Sequence, residues 1–249
     1  RLVCDLDLPL SLDDMERRPW DREATHQLFD GLEFRVLRDR LLEALPNEDE
    51  VVPEGGFDLD AARLEPGELG SWLAEHAAGE RTGVDIIGHW GSGTGDITAL
   101  SLAAADGAAA YVVVPDLGAS DENALADWLA DPDRHEAMHD AKGPLLAIWA
   151  RGWDLAGLTS DTQLAAYLTR PDQRTFDLAD LTIRYLKREL RVEGAPELDD
   201  PNQLALDFGD DDSGARLAAQ ASMVRARAVI DLADALDTEI EQRNGTSLL

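Results

Sequence analysis

The sequence predicts an α/β (α+β) fold: a mixed central sheet flanked by helices and preceded by a small strand-helix segment. Three observations carry that expectation. Three apolar runs, Val84 to Ile87, Ile97 to Ala103 and Ala109 to Val114, are short, largely β-branched or small, and separated by glycine-bearing stretches, as strands are. Downstream, apolar residues recur at helical rather than alternating spacing. Strands first and helices after them place the helices against the sheet.

The elements follow in order. Leu2, Cys4, Leu6, Leu8 and Leu10 alternate with other residues, the period of a strand, and the chain opens inside that pattern without a Met, as a piece of something longer would. Ser11 to Asp14, then Asp21 and Glu23, supply caps and first-turn acids, and Leu28, Phe29, Leu32, Val36 and Leu37 follow at helical spacing. Residues 1–45 therefore read as a strand followed by helices. From Pro46 through Gly55-Gly56 the sequence is acidic and rich in breakers, which predicts a linker over 46–62 and a domain boundary. A second domain, 63–249, begins with a short helix around Leu69, Trp72 and Leu73 and continues into the three strands. Ser120-Asp121-Glu122-Asn123 opens a helix through Leu125, Trp128 and Leu129 that ends at Asp131-Pro132. Further helical patterns cover Leu145 to Ala150, Gln163 to Leu168 and Leu178 to Leu190. The acidic stretch from Gly194 to Asp212 reads as a loop, and a long helix from about Ser213 to Glu241 closes the chain.

Composition narrows the function classes. Asp and Glu number 51 against 22 Lys and Arg in 249 residues, a formal charge of −29. Such a surface repels a phosphate backbone, which argues against autonomous nucleic-acid binding. Hydrophobic residues at 44% exclude global disorder. Cys4 is the single cysteine, which excludes a disulfide framework and a multi-cysteine metal site and fits a reducing, cytoplasmic setting. No apolar run approaches the roughly 20 residues of a membrane helix, so no membrane partner is expected.

Of the short motifs, His135-Glu136-Ala137-Met138-His139 matches HExxH, in which two histidines one helical turn apart bind zinc and the Glu serves as general base. Pro132 and Gly143-Pro144 bracket it too closely for a stable helix, and its flanks lack an apolar face, so a strand end plus a turn is the favoured reading. The glycine-rich stretch Gly88-His89-Trp90-Gly91-Ser92-Gly93-Thr94-Gly95 lacks a Lys-Ser/Thr pair and precedes a strand rather than a helix, which predicts a plain connecting loop. Asp199-Asp200 and Asp210 to Asp212 lack the spacing of a calcium loop. Trp128, Trp149 and Trp153 are expected in core or half-buried packing.

One set of segments carries a family resemblance. His139-Asp140-Ala141-Lys142 followed by Leu145-Leu146-Ala147, then Thr159 to Leu168, then Phe176-Asp177-Leu178-Ala179-Asp180-Leu181 with Tyr185-Leu186, resembles the 3′-to-5′ exonuclease domain of the bacterial DNA polymerase I family, in its actinobacterial form. Ile97 to Leu102 and Gly107 to Tyr111 fit the second and third strands of that domain. Residues 1–45, through Leu32-Glu33-Phe34-Arg35-Val36-Leu37, resemble the end of the family's 5′ nuclease domain, and Glu239 to Arg243 resemble the approach to its polymerase domain.

The resemblance implies a ribonuclease H-like exonuclease fold over 63–249. It implies a parent chain that performs DNA-directed DNA synthesis in replication and repair, with magnesium for the parent polymerase. It implies as partners the polymerase and 5′ nuclease domains of the same parent, with DNA reached through them. Exonucleases of this kind hold two metal ions with four carboxylates. The matching positions here are Gly88 and Trp90 for the first pair, Pro144 for the second motif, and Ala221 for the third, where Leu217 also replaces a Tyr. Asp85 and Asp96 are the nearby acids, and Asp161 matches a position that is not a ligand. The expectation is therefore a domain without catalytic residues, metal or cofactor of its own, acting as a structural scaffold; the alternatives are an active metal-dependent exonuclease or a zinc protease through His135, Glu136 and His139.

Overall fold

In a computed structural model that describes residues 56–171, 173, 175–190 and 212–242, six strands form one sheet. The strands are β1 (Asp60–Arg63), β2 (Thr82–Gly91), β3 (Thr94–Ala103), β4 (Ala108–Val113), β5 (Glu136–Met138) and β6 (Leu158–Asp161), in the order β1-β4-β3-β2-β5-β6. The helices are α1 (Leu69–His76), α2 (Ala119–Leu129), α3 (Lys142–Ala150), α4 (Thr162–Thr169), α5 (Leu178–Leu181) and α6 (Asp212–Gln242). β2, β3 and β4 form an antiparallel meander, whereas β1, β5 and β6 join in parallel, so the sheet is mixed. The expected strand-helix segment over 1–45 and the loop over 194–211 lie outside the described residues.

Alternation along β2 decides which face meets which helix. Val84 and Ile86 enter a core with Ile97, Leu100 and Leu102, beneath α1, α2 and α3. Gly83 and Asp85 point the other way, toward α6. A side chain on Gly83 would run into the Ala226 carbonyl, so glycine is what lets the long helix lie directly on the sheet. Met223, Ala226 and Ile230 of α6 cover Ala103 and Ala109, and α4 and α5 pack on α6 through Ala165, Ala166, Leu178 and Leu181.

Four expectations need correction. The glycine-rich stretch is not a connecting loop: β2 and β3 run through it to a two-residue hairpin at Ser92-Gly93, whose φ values of 52° and 82° suit the twist of the paired strands. Low strand propensity of glycine hid strands that cross-strand pairing stabilises. Asp60 to Ala62, assigned to the linker over 46–62, belong to β1, an edge strand held by pairing with Ala108 to Ala110 rather than by its own apolar content. The helical pattern from Leu178 to Leu190 ends early, in a π-helical turn over Thr182–Leu186 stopped by Lys187 in the left-handed region at φ 57°. Trp149 is 56% exposed, while Trp128 and Trp153 are buried as expected. Among the described residues no helix is long and apolar enough to cross a membrane.

Candidate functional site

The candidate positions fall on three segments: the far end of β2, the first turn of α3, and the N-terminal half of α6. Gly88 sits at a bulge in β2 where the register with β3 shifts, paired with Ile97. A Cβ there would collide with the Asp96 carbonyl and stand 3.1 Å from its carbon, so the backbone as folded admits no side chain. Trp90 is half-buried and covers Gly143, and Pro144 beside that glycine is buried in the first turn of α3. An indole and a pyrrolidine ring thus stand at two of the four positions that the resemblance matches to ligands, and neither offers an oxygen to a metal.

On α6, Leu217 and Ala221 are half-buried. The neighbouring Ser222 donates its hydroxyl to Asp85 at 2.8 Å, and Arg225 donates Nε to the same carboxylate at 3.0 Å. Asp85 is therefore committed to neutralising an arginine against the face of the sheet, a partly buried, charge-assisted pair. Asp96 is exposed and pairs with His89, four residues further along β2 than Asp85, about 13 Å at the rise of a strand. The two acids do not form one site.

Asp161 acts on the backbone. Its Oδ1 accepts from the N–H groups of Gln163 and Leu164 at the start of α4, and its two oxygens accept from Asp140 at 3.2 Å and Ala141 at 2.9 Å. One carboxylate caps α4 and pins the turn that leads into α3, where Asp140 takes a positive φ of 52°. Beside it, His139 Nδ1 meets the Thr162 hydroxyl at 2.9 Å. Burial, reinforced by the Arg225 charge, holds the His139 pKa below its ordinary value, so this imidazole is neutral at pH 7.

The HExxH segment lies in and around β5 rather than on a helix. His135 is exposed, His139 faces Thr162, and Glu136 is fully buried on the opposite face from both. Successive side chains of a strand point to opposite faces, and among the described residues the two histidines and this Glu do not come together as metal ligands. Neither Glu136 carboxylate oxygen has a hydrogen-bond partner among the described residues, and burial pushes its pKa up to about 8. The strand-plus-turn reading of this motif holds.

Among the described residues no three His, Cys, Asp or Glu side chains come together as metal ligands, and Gly88, Trp90, Pro144 and Ala221, the positions that the resemblance matches to ligands, carry no carboxylate for a divalent ion. Sequence reasoning missed what the acids here do. Asp161 ahead of Thr162-Gln163 carried an N-cap signal, and Asp85 inside an apolar strand signalled a cationic partner on the facing helix.

Comparison with known proteins bears on the same segments. The family model of the DNA polymerase I ribonuclease H-like domain matches residues 94–194. The chain is 50% identical to DNA polymerase I of Mycobacterium leprae over all of its own length, yet it spans only 27% of that protein. A solved structure described as the POL domain of Pol1 from M. smegmatis in complex with DNA primer-template and dNTP aligns with a TM-score of 0.63 and 45% identity, over 76% of this chain and 29% of that one. The nuclease-fold neighbour NrnC of Brucella melitensis aligns with a TM-score of 0.53 at 17% identity, over 76% of this chain and 83% of that one, which shows the shared fold.

Proposed function

The chain belongs to the DNA polymerase I family and carries its exonuclease-like domain, and from that premise we propose that this domain is catalytically silent and serves as a structural scaffold for DNA synthesis by a polymerase domain of the parent. The observation that carries the reading is the chemistry at the ligand positions. Gly88 has no room for a side chain, Trp90 is wedged over Gly143, Pro144 is buried, and Ala221 has no donor. Phosphodiester hydrolysis by this fold requires an ionised water and a stabilised leaving oxygen, both supplied by metal-bound carboxylates. Asp85 is held by Ser222 and Arg225, and Asp161 by four backbone N–H groups, so neither is at liberty to substitute.

The acidic surface fits such a role, since a scaffold needs no hold on a strand and DNA contacts fall to the neighbouring domains. The magnesium of the parent belongs to its polymerase domain. The test is incubation of labelled single-stranded DNA with the chain and magnesium or manganese. The expected result is an intact strand at high protein, and shortening in proportion to protein concentration overturns the silent reading. Deleting the domain from the parent is expected to lower polymerase stability or output, and unchanged values would remove the scaffold role.

A further inference from the structure

Asp106-Gly107 lies in the turn between β3 and β4, with Gly107 at a positive φ of 97°. An Asp followed by Gly is the pair in which a backbone amide most readily attacks a side-chain carboxyl, because no Cβ on the second residue hinders the approach. Here the reacting groups are engaged elsewhere. Asp106 Oδ1 accepts from the Ala108 N–H at 3.0 Å, and Oδ2 stands 2.8 Å from His76 Nδ1 at the end of α1. An ionised carboxylate only accepts, so Nδ1 is the donor. The Gly107 N–H donates to the Ala104 carbonyl at 3.2 Å. The Asp106 side chain is 53% exposed, so water reaches the pair.

We propose that Asp106-Gly107 is a self-modification site, a pair that forms isoaspartate, and that the His76 side chain restrains it. In the reaction the Gly107 nitrogen bonds to Asp106 Cγ. Its hydrogen and the OH of the protonated carboxyl leave as water, and a five-membered succinimide closes. Water adding back at Cγ restores Asp106, whereas addition at the Asp106 backbone carbonyl carbon routes the chain through Cγ and leaves isoaspartate. Nothing is oxidised or reduced, and the mass is unchanged. The departing oxygen must first carry a proton. His76, followed by the Ala108 N–H, holds the Asp106 pKa below its ordinary value, which keeps the carboxyl ionised and unreactive. Isoaspartate would add a methylene to the backbone inside a turn that the Ala104 N–H closes onto the Ala108 carbonyl at 2.8 Å. The Gly107 carbonyl also accepts from the Asp60 N–H at 2.9 Å, the bond that begins β1, so the modified turn loosens that edge strand.

The experiment incubates the 249-residue chain at neutral pH and digests samples with an endoprotease that cuts before Asp but not before isoaspartate. Isomerisation joins the peptides 96–105 and 106–115 into one, measured against the zero-time sample; Asp30-Gly31 and Asn244-Gly245 fall in other peptides. The folded native chain is expected to react about tenfold or more slower than the urea-unfolded chain. His76→Ala should speed the folded chain about threefold or more, the worth of one exposed side-chain hydrogen bond. His76→Phe keeps a ring beside Trp72, whose centroid lies 5.3 Å from that of His76, and removes the donor, so it should speed the reaction as much. His76→Gln retains an N–H donor and should return the rate toward the native one, and urea midpoints report that each variant is folded. Equal rates in the native chain and His76→Phe overturn the proposal, as does a slower rate, which would make the imidazole the proton source. A folded native chain that reacts as fast as the unfolded one overturns it too.

Discussion

Trp90 covers Gly143 so closely that a Cβ on that glycine would stand 2.6 Å from the indole Cε2. Trp90, which the resemblance matches to a metal-ligand position, is thus a packing wedge between β2 and α3. Gly143→Ala is expected to push the indole aside and lower stability by about 1–3 kcal/mol, the usual cost of overpacking. In a Trp90→Ala background the same substitution should cost markedly less, because the obstacle is gone. Urea unfolding of the four proteins checks this, and an equal cost in both backgrounds would reject the contact.

Restoring the acids should not restore a nuclease. Gly88→Asp forces a Cβ into the Asp96 carbonyl, which must displace the β2–β3 bulge and is expected to cost about 2 kcal/mol or more. Gly88→Asp with Trp90→Glu should therefore melt earlier than the parent sequence and still leave labelled DNA intact, because Pro144 and Ala221 supply no oxygen for the metal pair. Thermal unfolding and the DNA assay read the two halves separately. A double variant that melts normally and cuts DNA would show that the site had been only two side chains from activity.

The fold was legible in the sequence where period and punctuation agreed. β3 and β4 came from their apolar runs, α2 from Ser120 to Leu129, and α6 from its long helical pattern, within a few residues of their observed limits. Non-local pairing was not legible. β1 is four residues of DAAR, which no propensity scale favours, and it exists because β4 offers it a parallel edge. The glycines of the β2–β3 hairpin concealed strands for the same reason. At the site, residue types alone say that glycine, tryptophan, proline and alanine, at the positions the resemblance matches to ligands, offer no carboxylate. What could not be read was that Asp85 was already engaged, because Ser222 and Arg225 lie 137 and 140 residues away from it.

Asp161 should prove the most costly acid to remove. It accepts from four backbone N–H groups on two segments, at the start of α4 and at the turn into α3. Asp161→Ala removes the cap, worth about 0.5–2 kcal/mol by itself, and leaves Asp140 and Ala141 donors without an acceptor, for a combined loss of about 2–4 kcal/mol. Asp161→Asn keeps one acceptor oxygen and should lose roughly half as much. Hydrogen exchange should localise the effect, with amides of α4 and residues 140–142 losing protection first. Uniform loss over the whole domain would deny the carboxylate this local role.

Glu136 gives the domain a pH dependence of definite sign. Its side chain is fully buried, Gly157 is so close that a Cβ there would lie 2.5 Å from Oε2, and burial raises the pKa from 4.5 to about 8. Below the lower value the carboxyl is protonated in both folded and unfolded chains, and its contribution does not change with pH. Between the two values the folded chain keeps a proton that the unfolded chain has released, so the free energy of unfolding falls as pH rises. The fall attributable to this group is roughly 3–5 kcal/mol across the window and levels off above it. Glu136→Gln keeps the shape and removes the titration. Its stability relative to the native sequence should therefore grow steadily between about pH 5 and pH 8, read from denaturant midpoints at each pH. Parallel curves for the two proteins across that range would mean that the carboxyl is solvated in the folded chain, and with it would go the account of Glu136 as a neutral, buried group on the face of β5 away from His135 and His139.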